Sequence, residues 1–476
     1  MNTKLRKYSV LILIAVFSFV INSYAQDNLE KAVNLIKKGD YVEARDILKN
    51  IVKDNNNYEP NYYYGYSLFK TGSIDEAEKF FKIALKDDDE GIGALKGLGE
   101  LYSSQKKYIE ANSQFRKALS VEPENISVMI SQAKNFSLEG KIDDAIKVLT
   151  LATTYSKENP EVYVGLGDAY NIRGAYDIAI KYYNDAIKIK KNSAQAYFGL
   201  GQILFIQAKY DEAIKAYQSA TESDPNFADS YLEFGKLLYF NGDYSAAADK
   251  FKTYTKLVPG SPEGDFNYGR TFYKQKKYDE AIGMFDAVLK VFPNFAPANR
   301  YSALSYIEKK DYSKAIELFG KIPEKEMEAV DYSNIAGAYS KIKNFDDAYK
   351  NYNKSISLDS SNANIYYEYA ISQFDHEEYD KSIITMDIAF QKGFDQFTGY
   401  LYQGISNFYL KKYDDAVAKF QESIKLNNSF PFTYLWLGKS YVGLQKNTEA
   451  IAAYTKCLEL DPNNEEAQRD LKSLQK

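Results

Sequence analysis

The side chains that could do chemistry in this chain are cations gathered around one amide. Lys236 and Arg270 stand 34 residues apart, and Arg300 follows 30 residues later. Asn267 and Lys274 lie at i−3 and i+4 of Arg270, so a helix that carries them turns all three to one side. Guanidinium, ammonium and amide donors converging in this way hold a carboxylate, from an acidic segment or a peptide C-terminus. Against this stands the ordinary state of such residues, which is a scatter of solvated surface cations, here with Asp265 and Asp279 close in sequence. Phe205, Tyr239 and Tyr273 recur at the same 34-residue interval beside them. The candidate peptide-binding set is therefore Lys236, Asn267, Arg270, Lys274, Arg300, Phe205, Tyr239 and Tyr273.

No constellation points to catalysis, a cofactor or a metal. The single histidine, His376, sits in FDHEEYDK with no second histidine and no H-E-x-x-H spacing, and reads as a solvated turn residue. The single cysteine, Cys457, has no matching histidine and reads as packing. Neither a G-x-S-x-G elbow nor a phosphate-binding P-loop occurs. The acidic pairs Asp143-Asp144, Asp346-Asp347 and Asp414-Asp415 recur at one place in a period, where a helix start favours carboxylates. They read as structural, and the chain reads as a non-enzyme.

The elements that must position the candidate set are helical hairpins. In Ala194 to Phe227, Tyr197, Leu200, Gly201 and Leu204 fall three, four and seven apart, which is one helix face. Tyr210, Ala213, Ala216, Tyr217 and Ala220 form a second such face, and Asp224-Pro225 ends it. The small residue of the second helix recurs from Ala44 through Ala213 to Ala450 as 13 copies, at steps of 34 residues except for two of 33. An aromatic or aliphatic residue precedes it by three, and Gly or Ala precedes it by twelve, as at Gly65, Gly201 and Ala336. Small residues let two backbones approach, and stacked copies bury what one hairpin leaves bare.

These columns resemble the tetratricopeptide repeat, from about residue 25 to 464. The resemblance implies an all-α, right-handed superhelical solenoid of about 13 helix-turn-helix units with a C-terminal capping helix. It also implies that the first helices line a concave groove. In that frame Lys236 and Arg270 take the ninth position of successive repeats and Arg300 a fifth, a partial match to the carboxylate clamp of some family members. Rings at Phe69, Phe205, Tyr239, Tyr273, Phe374 and Phe408, with Tyr62, Phe198, Phe266 and Tyr367, would face the groove, though such rings are also the family's usual packing. Lys191, Phe394 and Asn428 replace the closing proline, and Ser382 the small alanine, so looser packing is expected near residues 380 to 430. Around Lys321 to Val330 the shortened spacing predicts a tighter corner.

The ends read differently. Lys4, Arg6 and Lys7, then the apolar run Val10 to Ile21, then Ser23-Tyr24-Ala25, have the three parts of a cleaved secretory signal peptide. No cysteine lies near the cut, which argues against a lipid anchor there. The domains expected are residues 1–25 as signal peptide, 26–464 as the array and 465–476 as the capping helix, with Leu471 and Leu474 covering the last repeat. The Lys-, Asn- and Tyr-rich composition resembles that of exported proteins of the Bacteroidota, which places the chain in the periplasm, at the outer membrane or outside the cell. The net charge is −5 and cleavage would remove three cations, so nucleic acid is not an expected partner. The expected partner is a protein or peptide, with no transmembrane span in the mature chain and peripheral envelope association. Alternatives are a self-assembling factor that docks through its end repeats, or an accessory of an envelope enzyme such as a glycosyltransferase.

Overall fold

A computed structural model describes residues 26–53 and 55–475. The signal-peptide reading of residues 1–25 lies outside the described residues. Among those described there is no strand. The chain divides into two compact units, Met1–Leu237 and Leu238–Lys476.

The N-terminal unit holds α1 (26–38), α2 (Tyr41–Ile51), α3 (Tyr58–Lys70), α4 (Ile74–Asp87), α5 (Ile92–Ser104), α6 (Tyr108–Val121), α7 (Ile126–Glu139), α8 (Ile142–Tyr155), α9 (Pro160–Ile172), α10 (Tyr176–Ile189), α11 (Ala194–Ile206) and α12 (Tyr210–Ser223). The unit boundary falls inside α13 (Ala228–Phe240). The C-terminal unit continues with α14 (Tyr244–Leu257), α15 (Pro262–Lys274), α16 (Tyr278–Val291), α17 (Ala296–Glu308), α18 (Tyr312–Phe319), α19 (Ala329–Lys341), α20 (Phe345–Leu358), α21 (Ala363–Asp375), α22 (Tyr379–Gln391), α23 (Phe397–Tyr409), α24 (Tyr413–Leu426), α25 (Pro431–Gly443), α26 (Asn447–Leu460) and α27 (Glu465–Leu474). Odd-numbered helices up to α25 are first halves of hairpins and even-numbered ones second halves.

Each hairpin turns on one repeated device. The first helix ends in a Schellman motif, as where Lys276 N–H bonds Tyr273 O and Lys277 N–H bonds Phe272 O. A residue at or just past the cap is left-handed every time. It is glycine at 39, 72, 140, 174 and 242, but Lys106, Ala208, Lys276, Lys310, Lys343, Glu377, Lys411 and Gln445 hold the same left-handed region with φ near 60°.

Packing then follows from size. The small column is fully buried from Ala44 to Ala450. One turn later the second helix carries a large buried residue, such as Phe81, Phe115, Tyr183, Phe285, Phe420 or Tyr454. Each of these rings lies over the small residue of its own first helix. A Cβ added to Gly167 would stand 2.5 Å from the Tyr183 ring, and one added to Gly199 of the next hairpin 2.2 Å from it. Tyr183 is thus held between two glycines, and burying such a ring contributes about 1.5–3 kcal/mol.

Within each unit, first helices touch the first helices of neighbouring hairpins, as in α5–α7, α7–α9, α9–α11, α19–α21 and α21–α23. Among the described residues no comparable contact joins successive second helices of the same unit. The first helices are therefore the closer-spaced row and line the inner side of each unit. Near residues 380 to 430 the expected loosening is absent. Ser382 is buried and its hydroxyl donates to Ala370 O at 2.8 Å, so the added polar atom is satisfied in place. Ser423 likewise donates to Phe397 O at 3.0 Å. The corner at Lys321 is real: α18 spans 8 residues, and a 3-10 turn at Glu324–Glu326 follows. Asn464 caps α27, whose Leu471 and Leu474 pack against the last hairpin.

Candidate functional site

Arg270 sits on α15 in the C-terminal unit, and three rings surround its guanidinium. The guanidinium carbon is 4.6 Å from the centroid of Tyr239, 5.5 Å from Tyr301 and 5.6 Å from Phe266. One nitrogen, Nη1, donates to Asn267 Oδ1 at 3.3 Å, and Nε is buried without a hydrogen-bond partner among the described residues. No carboxylate among the described residues pairs with it. Cation–π contacts of this kind contribute about 0.5–2 kcal/mol and hold the charge in place without neutralising it. Burial raises the Tyr239 phenol, and the Arg270 cation partly counters that. Burial, with repulsion from Glu308, pushes Tyr273 up to about 12, so both rings are neutral hydrogen-bond donors near neutral pH.

The remaining candidates separate in role. Asn267 is buried and donates to Glu263 O at 2.8 Å, so its amide braces α15 as well as Arg270. Lys274 is exposed at the end of α15. Tyr273 packs edge-on against Tyr301 at 5.5 Å. Arg300 differs from the sequence expectation. Its Nε and Nη2 donate to the two Asp331 carboxylate oxygens at 2.7 Å each, and Nη2 also reaches Glu326 O. Asp331 is fully buried and caps the start of α19. Arg300 is thus spoken for, tying α17 to α19 across the short corner. Lys236 and Phe205 belong to the N-terminal unit. Lys236 pairs with Glu233 at 2.8 Å, and Phe205 is exposed with its ring 5.8 Å from Tyr210. The other groove rings pack mainly on scaffold neighbours, as Tyr367 does on Phe394 at 4.3 Å. His376 stacks on Phe345 at 4.2 Å and meets the Tyr349 hydroxyl at 3.1 Å.

A second feature escaped the sequence reading. In the N-terminal unit a hollow of about 490 Å³ opens between α7, α9 and α11. Its walls include Ile130, Leu138, Val164 and Ile172, with Ser137 and Asn171 at the column that elsewhere carries Phe69, Phe205, Tyr239 and Tyr273. Asp168 faces it and accepts from the Tyr183 hydroxyl at 2.7 Å. The signal was present as a gap: the ring column fails at Ser103, Ser137 and Asn171 in succession. It fails again at Ile307 and Ser340, and a hollow of about 330 Å³ lies there in the C-terminal unit.

The geometry defines an all-α array of repeated hairpins with an inner row of first helices. Tetratricopeptide-repeat family models match residues 29–92, 97–125, 167–207, 201–242, 232–283, 272–342, 332–362 and 433–464, together more than half of the chain. The chain belongs to the tetratricopeptide-repeat family. Comparison with curated proteins gives no match. Among solved structures it is similar to the APC/C hetero-tetramer Cut9-Hcn1, at 14% identity and TM-score 0.42 over 94% of this chain and 95% of that one. It is also similar to yeast Tom70, at 15% identity and TM-score 0.35 over 87% and 94%. A third is YrrB, described as a TPR protein with an unusual peptide-binding site, at 22% identity and TM-score 0.31 over 39% of this chain and 95% of that one. At these identities the likeness is one of fold. No helix among the described residues is long and apolar enough to cross a membrane.

Proposed function

We propose that this chain is an exported scaffold that binds a partner protein along its first-helix face and serves the assembly or upkeep of a cell-envelope complex. The observation that carries the binding is Arg270: a half-buried guanidinium caged by three rings, braced by Asn267 and lacking a counter-ion among the described residues. An acidic or C-terminal segment supplies what that cation lacks, through charge-assisted hydrogen bonds from Arg270, with Lys274 and the Tyr239 and Tyr273 hydroxyls beside it. The export reading rests on the charged, apolar and small-residue order of residues 1–25. Mature protein from the source cell should have Gln26 as its first residue by intact mass, and a chain retaining Met1 would contradict export with cleavage.

Binding is tested with a labelled acidic peptide bearing a free C-terminus, titrated against the full chain. Arg270→Glu should weaken it at least about tenfold, which is about 1.4 kcal/mol of binding, with a modest fall in thermal midpoint from the lost ring contacts. Arg300→Ala should do the reverse. It strands buried Asp331, which costs about 3–5 kcal/mol of stability, and leaves affinity nearly intact wherever the chain is folded. Unchanged affinity in Arg270→Glu removes this site.

A further inference from the structure

We propose that the hollow between α7, α9 and α11 is a second binding site, which takes an arginine or lysine side chain from an extended segment of a partner protein, with Asp168 receiving the cation. The proposal rests on groove binding in general but not on Arg270.

Shape comes first. Groove-facing rings are absent at Ser137 and Asn171, and about 490 Å³ is left open there, whereas Phe205 stands at the same position of the next repeat. The walls are aliphatic and suit the methylene stem of a long basic side chain, while the tip needs a carboxylate. Asp168 stands there, positioned by the Tyr183 hydroxyl.

The rim carries a second, independent mark. One residue past each ring position, the chain places Leu138, Ile172 and Ile206 on three successive first helices, exposed by 53%, 59% and 55%. The equivalent places elsewhere are polar or charged at Lys70, Ser104, Lys274, Glu308, Lys341 and Asp375, and aromatic and exposed at Phe240 and Tyr409. Leu138 and Ile172 line the hollow, and with Ile206 they offer exposed aliphatic surface that an apolar side chain of a partner can cover. A segment with aliphatic residues flanking one basic residue matches both ridge and hollow.

Electrostatics agree. Asp168 is exposed to the hollow, and the surrounding wall still raises its carboxyl from 3.8 to about 6, against the Tyr183 hydroxyl and the Lys134 charge, both of which pull it down. Lys134 on α7 and Lys190 after α10 are exposed at the edge, Glu161 adds a second carboxylate on α9, and α11 contributes only the amides Gln195 and Gln202. The raised value means that charging Asp168 costs the unliganded chain stability as pH rises from 3.8 to about 6. A cation brought to it relieves that cost, increasingly so as pH rises through about 6 and the carboxylate ionises.

The test uses the full chain and fluorescent pentapeptides blocked at both ends: Leu-Ala-Arg-Ala-Leu and its Glu counterpart. The arginine probe should bind and the glutamate probe should not. Asp168→Asn keeps the shape and an acceptor for Tyr183. It should weaken the arginine probe about tenfold while raising the thermal midpoint near neutral pH. Wild-type affinity should fall several-fold between pH 7.5 and pH 5, and the fall should vanish in Asp168→Asn. Ser137→Phe, which restores the missing ring, should abolish binding with helicity retained. Arg270→Glu should leave this probe unaffected, because the probe has no free carboxylate. Equal binding of the two probes, no binding of either, or full affinity in Asp168→Asn overturns the proposal and leaves the Arg270 reading standing.

Discussion

Lys276 holds φ at 59°, in the left-handed region where a Cβ crowds the following carbonyl, because the Schellman motif needs that turn at the end of α15. Its side chain is exposed, so backbone strain dominates what a substitution does. Lys276→Gly should raise stability by about 0.5–1 kcal/mol, seen as a higher denaturation midpoint, after allowing for glycine's greater freedom in the unfolded chain. Gly72→Ala, at the matching place with φ 85°, should lower it by a similar amount. If both substitutions prove neutral, the turn relaxes more readily than its repeated geometry implies. This column was hidden in the sequence because five glycines and eight other residues share one backbone state without sharing a side chain. Arg300 was misread for a related reason. Periodicity told which face it occupied, but not that Asp331, 31 residues later, would take both of its donor edges.

At the scale of the helix, the small columns were legible because Gly and Ala recur at a fixed interval, and the hairpins follow from them. Less legible was the large residue that each small one serves. Tyr183 on α10 is pinned between Gly167 on α9 and Gly199 on α11, with its hydroxyl committed to Asp168. Gly167→Ala would put a methyl within 2.5 Å of the ring, along the edge from Cδ1 through Cε1 to Cζ, and the ring is fully buried and cannot swing aside. The expected loss is about 1–3 kcal/mol. A drop in the fluorescence or denaturation midpoint checks it, and because Asp168 would be displaced with Tyr183, binding of the arginine probe should weaken in parallel. A fully tolerated Gly167→Ala would show that the two first helices part easily. The same small-to-large logic explains the hollows: removing rings from one column at Ser137 and Asn171, or at Ile307 and Ser340, leaves the first helices in place and opens space between them. A sequence read for what recurs does not register what is missing, so the Asp168 pocket was overlooked.

For the whole molecule, repetition makes stability the sum of hairpins and their interfaces, so local changes such as those above stay local. Within each unit the inner row of first helices carries the residues that the scaffold does not consume: Arg270 in one unit, and Asp168 with its aliphatic ridge in the other. The two sites have opposite charge preferences, so an acidic and a basic partner segment are each taken by a different unit. The most direct test is site-specific photo-crosslinking in the source cell. A photoreactive residue replaces Tyr239 or Ser137 on first helices, or Ile109 or Ile384 on second helices, where exposure is 76% and 61%. The account predicts adducts with a partner protein from positions 239 and 137 and none from 109 or 384. Adducts from the second-helix positions alone would contradict it.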